Sequence, residues 1–202
     1  MTDRTCIFSK GAIKFHYSIE DIISCYDGCQ GGSVDEPYFL WVGSGIVSGG
    51  PYNSHEGCLP YEVAPCGNYC TIKPTPPCRR TCQKSYPKSY NDDKRKGSKA
   101  YSLDALSLKE IKIDILTSGP ISNSMQVYAD FIHYKSGIYH RTSEDILGEH
   151  VIKILGWGTE NGTDYWLAAN SWGVTWGDKG FFKMSMATND FMQKAAGIPK
   201  LD

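Results

Sequence analysis

G-E-H-V-I-K-I-L-G-W-G (148–158), followed closely by D-Y-W-L-A-A-N-S-W-G-V-T-W-G-D-K-G-F-F (164–182), carries the chemistry of this chain. In the first segment His150 opens an apolar strand. In the second, Asn170 ends another strand and meets two indoles, Trp172 and Trp176. A histidine suits proton transfer because its unperturbed pKa lies near neutrality. Such a base needs a third group that fixes its ring and tautomer. An asparagine oxygen accepts from one ring nitrogen without adding charge, and indole walls strengthen that bond by excluding water. Two adjacent strand ends therefore supply a base, its orienting partner and a shield.

The totals bound what surrounds this pair. With 202 residues, 41% hydrophobic content and a net charge of -1, the chain is globular: one large domain or two small ones. That charge gives no basis for binding nucleic acid or an anionic membrane surface. No apolar run approaches the roughly 20 residues a spanning helix needs. All eight cysteines lie at or before Cys82, in the Pro- and Gly-rich half. Such density points to disulfide stapling in an oxidising compartment. Cys25/Cys29, Cys66/Cys70 and Cys78/Cys82 are also C-x₃-C pairs, a spacing that structural zinc sites use. Asn161-Gly162-Thr163 is a glycosylation sequon in a predicted hairpin loop. Met1-Thr2-Asp3-Arg4 has no basic or apolar leader character, so a disulfide-rich chain opening this way is expected to be a fragment of a longer precursor.

Along the chain, Ser18 followed by Glu20 and Asp21 predicts a helix start. D-G-C-Q-G-G (27–32) is a turn. Val34, Tyr38 and Trp41 predict a helix over 33–44 with Ser33 as its cap. From Ser48 to Tyr90 no periodicity survives the prolines, so this stretch is expected to be functional or cross-linked. Ser107-Leu108-Lys109-Glu110 is a capping box, and Gly119-Pro120 stops the helix it begins. Short strands are predicted over 121–127, 137–140, 150–157, 163–170 and 180–184. Helices first and strands later read as an α+β fold of two packed halves.

The motifs together resemble the papain family of cysteine peptidases, and within it the cathepsin B type. D-R-T-C-I (3–7), D-G-C-Q-G-G, V-S-G-G-P-Y-N-S-H-E-G-C-L-P-Y (47–61), V-Y-A-D-F-I-H-Y-K-S-G-I-Y (127–139) and A-G-I-P (196–199) carry the resemblance beside the His150 and Asn170 segments. It implies a papain-like two-domain fold, incomplete at the N-terminus: a helical left half, a β-barrel right half, and a V-shaped cleft between them. It divides the chain into a remnant of the helical domain (1–50), an insert like the occluding loop (51–82) and the strand-rich domain (83–202). His150 carries over as catalytic base and Asn170 as its orienting partner. Gly31 and Gly32 form the turn whose backbone pairs with an extended peptide. Trp172 shields the His–Asn bond, and Trp176 lines the primed side. The implied disulfides are Cys25–Cys78, Cys58–Cys82 and Cys66–Cys70. The implied setting is lysosomal or extracellular, with peptide substrates, cystatin-like or propeptide inhibitors, and no cofactor or metal.

The chain also departs from that pattern. It contains no Q-x-x-x-C-G-S-C-W segment, so neither the nucleophilic cysteine nor the oxyanion glutamine is among these residues. Cys6 and Cys29 are left without implied partners. Gly67, Asn68 and Tyr69 stand where the occluding loop carries histidines, and Thr175 replaces an acidic residue, so carboxydipeptidase action is not expected. Glu149 replaces the glycine before the base, where a carboxylate could stabilise imidazolium or crowd the cleft. Ser124 and Val151 are expected on the walls of an apolar S2 pocket with Phe191 or its neighbours at the floor. The expectation is a cysteine-type endopeptidase family member inactive as given. The alternative is a catalytically dead homologue that binds peptides or inhibitors.

Overall fold

The computed structural model describes residues 1–65, 73–188 and 190–201. The chain divides into two compact units, 1–100 with 197–202, and 101–196.

In the first unit, α1 (Thr2–Phe8) is followed by α2 (Ile19–Ile22), which runs into a π-helical turn, Ile23–Asp27. Ser18 caps α2 by accepting from the Asp21 N–H at 3.0 Å, as its sequence predicts. The next helix, α3 (Glu36–Gly43), starts later than expected. Asp35 occupies the N-cap position, because Pro37 has a fixed φ and no N–H to donate and so favours the first turn. Ser33 is not the cap; its hydroxyl donates to the Asp35 carboxylate. Trp41 is fully buried, and a Cβ on Gly97 would come within 2.7 Å of its ring, so only glycine admits that approach.

The aperiodic stretch owes its order to buried carboxylates and a disulfide. Asp21 accepts from Tyr90 Oη at 2.7 Å and from the Val47 N–H at 3.2 Å. Asp93, at the end of α4 (Tyr90–Asp93), accepts from the Ser48 N–H at 2.7 Å and from Tyr86 Oη at 2.6 Å. Cys58 and Cys82 are bonded, and Val47, Cys58, Leu59 and Tyr90 form a small core with Tyr86 against it. Residues 83–100, grouped from sequence with the strand-rich half, thus cluster with the first unit. Cys25 bonds Cys78. Neither bond lies within a C-x₃-C motif: Cys25–Cys78 joins two of them, and Cys58–Cys82 joins one to a cysteine outside them. Cys6 and Cys29 carry free thiols. Cys66, Cys70 and residues 67–69 lie outside the described residues.

A seven-stranded sheet has the order β1-β7-β2-β4-β5-β6-β3. Its strands are β1 (Gly97–Ser102), β2 (Ile121–Tyr128), β3 (Ile138–Tyr139), β4 (Ile146–Glu160), β5 (Thr163–Ala169), β6 (Phe181–Ser185) and β7 (Phe191–Pro199). β2–β4, β2–β7, β4–β5 and β5–β6 are antiparallel; β3–β6 is parallel. β4 shows why these residues pair: Ile152 and Ile154 are buried while Val151 and Lys153, which alternate with them, are exposed. β4 and β5 meet in a two-residue hairpin loop whose residues, Asn161 (φ 50°) and Gly162 (φ 79°), both have the positive φ such a turn demands. Between β1 and β2, α5 (Leu108–Ser118) begins with the predicted capping box at Ser107 and Glu110. Ile111, Ile115 and Ser118 form its buried face. Phe131, in a 3₁₀ turn (Phe131–His133), is fully buried in the core of this second unit with Met125, Trp166 and Phe182. No helix among the described residues is long and apolar enough to cross a membrane.

Candidate active site

Two strands bring His150 and Asn170 together. β4 runs antiparallel to β5 with Lys153 opposite Ala169, so the residue after β5 reaches the start of the apolar run of β4. Asn170 is held there by its own N–H, which donates to Gly180 O at 2.9 Å. His150 sits opposite Met125 of β2, itself buried. The result is a 2.8 Å contact between His150 Nε2 and Asn170 Oδ1.

The direction of that bond follows from its neighbours. Asn170 Oδ1 also receives the Ser171 N–H at 2.7 Å. Only an oxygen accepts from a backbone N–H, so the amide orientation is set. Only a protonated ring nitrogen can then donate to the same oxygen. Neutral His150 is therefore the Nε2–H tautomer, and Nδ1 keeps its lone pair. Nδ1 makes no hydrogen bond among the described residues and is the atom able to accept a proton.

The indoles behave as a platform. The Trp172 ring lies 5.0 Å from the His150 ring at an interplanar angle of 34°, and Trp176 meets Trp172 edge-on at 5.1 Å. Both indoles rest on Phe131, at 5.7 and 5.1 Å. Trp176 is fastened further by its Nε1–H, which donates to Ile132 O at 3.1 Å. Sequence inspection did not single out Phe131 or the Ser171 amide. The family-like segment 127–139 contains Phe131, but only the fold reveals that five aromatic rings converge on it.

The other residues named from sequence are distributed around this pair or apart from it. Glu149 is exposed, and alternation along β4 turns it to the opposite face from His150. Ser124 and Val151 are cross-strand partners on β2 and β4. Val151 is half exposed, whereas Ser124 is buried and its Oγ accepts from the Gln193 N–H at 3.0 Å. Phe191 packs against the strand-rich core. In the first unit, Gly31 and Gly32 are exposed; Gly31 has a φ of 95°, and a Cβ there would meet nothing within 4 Å. Asn161 stands exposed at the hairpin tip.

Comparison with known proteins fits this geometry. The profile described as papain family cysteine protease matches residues 1–199. The chain is 47% identical over 211 residues to cathepsin B-like cysteine proteinase 3 of Caenorhabditis elegans, covering 100% of this chain and 57% of that protein. It is 43% identical over 204 residues to cathepsin B-like cysteine proteinase 1 of Haemonchus contortus, covering 94% and 59%. The chain thus spans less than two thirds of the length of these curated relatives. Among solved structures, procathepsin B S9 from Trypanosoma congolense superposes with a TM-score of 0.82 at 31% identity, covering 98% of this chain and 65% of that one. Procathepsin L2 from Tenebrio molitor shares the fold at a TM-score of 0.73 and 22% identity, over 96% of this chain and 57% of that one. On the match along nearly its whole length and these identities, the chain belongs to the papain family of cysteine proteases, among the cathepsin B-like members.

Proposed function

We propose that these residues provide the proton-handling and peptide-binding part of a cathepsin B-like cysteine peptidase. The observation that carries this is the set tautomer of His150: Nε2–H is committed to Asn170 Oδ1, and Nδ1 is left to accept a proton. Where a thiol is supplied beside Nδ1, its proton passes to Nδ1 as sulfur bonds to the peptide carbonyl carbon. The C–N bond then breaks, the departing amine takes the proton from Nδ1, and water hydrolyses the thioester with His150 as base. Asn170 keeps the ring in place, Trp172 shields the bond, and Trp176 lines the primed side. The turn at Gly31 and Gly32 pairs with the backbone of an extended peptide. Ser124 and Val151 wall a pocket for an apolar side chain.

No C-G-S-C-W segment occurs in these 202 residues. Without a thiolate there is no covalent route, so this chain by itself leaves peptide bonds intact. A form that carries the nucleophile cleaves peptides, and His150→Ala abolishes that cleavage. The deciding experiment assays the purified 202-residue chain on fluorogenic peptides: cleavage that His150→Ala removes means one of its own cysteines attacks, and the proposal is wrong.

The substitutions at residues 67–69 support a second reading, a homologue that binds peptides or inhibitors without turnover; Glu149, expected from sequence to favour it, points to the face opposite His150. That reading requires that a nucleophile-bearing form also fails to cleave while still binding a cystatin-like inhibitor or a propeptide. Either role belongs in an oxidising compartment, lysosomal or extracellular, where the disulfides persist; Asn161 would be glycosylated on the way there.

A further inference from the structure

Helix α5 has two apolar faces, and the fold covers one. Ile111, Ile115 and Ser118 face the core. Lys109, Lys112, Ile113 and Leu116, at i, i+3, i+4 and i+7, share another face. Together with Trp157 of β4 they line a groove of about 320 Å³. Its apolar side chains stand in solvent: Leu116 is 76% exposed, Ile113 48% and Trp157 37%. An exposed apolar patch rimmed by charge is the mark of a binding surface.

The charge at the rim has one sign. Lys112 Nζ lies 5.9 Å from the centre of the Trp157 ring. Lys109 has no hydrogen-bond or ion-pair partner among the described residues. The two acids on the helix are engaged elsewhere. Glu110 accepts from the Ser107 N–H at 2.8 Å and its hydroxyl at 2.7 Å, closing the capping box. Asp114 accepts from Tyr101 Oη at 2.6 Å. Two ammonium groups thus border an apolar trough, and neither forms an ion pair with a carboxylate among the described residues. The lining residues span eight positions, about 12 Å of helix, the reach of three or four extended residues.

We propose that this groove docks a peptide segment of a partner protein in which aliphatic or aromatic side chains alternate with Asp or Glu. The apolar side chains lie against Ile113, Leu116 and Trp157, and the carboxylates meet Lys109 and Lys112. Such a surface holds a partner without using His150 or Asn170, so it is independent of the peptidase chemistry.

The test titrates the chain with a fluorescein-labelled peptide of alternating Glu and Leu or Phe, and with its Lys-for-Glu counterpart, by anisotropy. The acidic peptide is expected to bind, more weakly at high salt as screening predicts, and the basic one not. Lys109→Glu with Lys112→Glu should weaken binding about three- to tenfold, and Leu116→Ser with Ile113→Ser by about tenfold. All four positions are on the surface, and circular dichroism checks that each variant is folded. Equal binding of both peptides overturns the proposal. So does acidic-peptide binding that survives Leu116→Ser with Ile113→Ser, which would be polyanion attraction alone, or no binding at millimolar peptide. Concentration-dependent sedimentation of the chain alone, abolished by Leu116→Ser, would instead assign the groove to a second copy and overturn the assignment to a partner.

Discussion

Asn170→Ala tests the site where its geometry is most explicit. The substitution removes the oxygen that accepts from His150 Nε2 at 2.8 Å. A hydrogen bond of this kind is worth about 0.5–1.5 kcal/mol net, about two- to twelvefold in an equilibrium ratio. The ratio of the Nε2–H to the Nδ1–H tautomer should fall by that factor. Long-range proton–nitrogen correlation spectra of histidine-labelled protein, at a pH where the ring is neutral, report the ratio directly. His150→Gln assigns the resonance among five histidines. Global stability should fall by less than about 1 kcal/mol, since the Ser171 amide that also loses a partner is accessible to water. The substitution also deletes Nδ2, a buried donor with no partner among the described residues. Wild-type protein protonated at Nδ1, or an unchanged tautomer ratio in a folded Asn170→Ala variant, would refute the proposed orientation of the base.

Four further outcomes are expected. Phe131→Ala, at a fully buried ring beneath both indoles, should cost about 3–5 kcal/mol in urea unfolding and red-shift the tryptophan emission. Replacing Cys58 and Cys82 by serine opens a loop closed across 24 residues and should cost about 2–4 kcal/mol, read from the denaturation midpoint against the disulfide-intact wild type. Burial raises the Glu20 carboxyl above its ordinary 4.5, a shift the Glu62 N–H opposes. The folded state then holds that proton more tightly than the unfolded one, so stability falls as pH rises from 4.5 through the raised value. Glu20→Gln, which still accepts from Glu62, should be more stable than wild type above that window, and an identical pH–stability curve would disprove the linkage. Expressed through a secretory pathway, the chain should show a glycan-dependent mobility shift that Thr163→Ala removes; the hairpin tip at Asn161 is exposed.

The strand-rich part was largely legible because its order is local. The apolar run after His150, the capping box at Ser107 and the Asn161-Gly162 turn each act over a few residues; the box and the turn appear where the sequence places them, and the strand expected over 150–157 lies inside the longer β4, Ile146–Glu160. β1 and β7 escaped notice because their contacts are distant. β7 buries Ala195 and Ala196, small residues with little pattern of their own, and it exists because β2 pairs with it. α3 starts at Glu36 and not at the capping-type Ser33, because Pro37 sets the first turn. The stretch from Ser48 to Tyr90 has no periodicity in its sequence, and the contacts that hold its described residues have no local signal. Asp21 and Tyr90 meet across 69 positions and Ser48 and Asp93 across 45, and no window of sequence contains both partners.

Residue identity and spacing were enough to name His150 and Asn170 as partners and to assign the chain to its family. They could not say which ring nitrogen donates, because that depends on the Ser171 amide holding Asn170 Oδ1 in one orientation. Nor could they say which side of α5 stays uncovered. Ile111, Ile113, Ile115 and Leu116 are all apolar, and periodicity assigns each a direction around the helix without telling where the sheet lies. Only packing against the strands distinguishes a core face from an open one, since burial is a relation between elements distant along the chain.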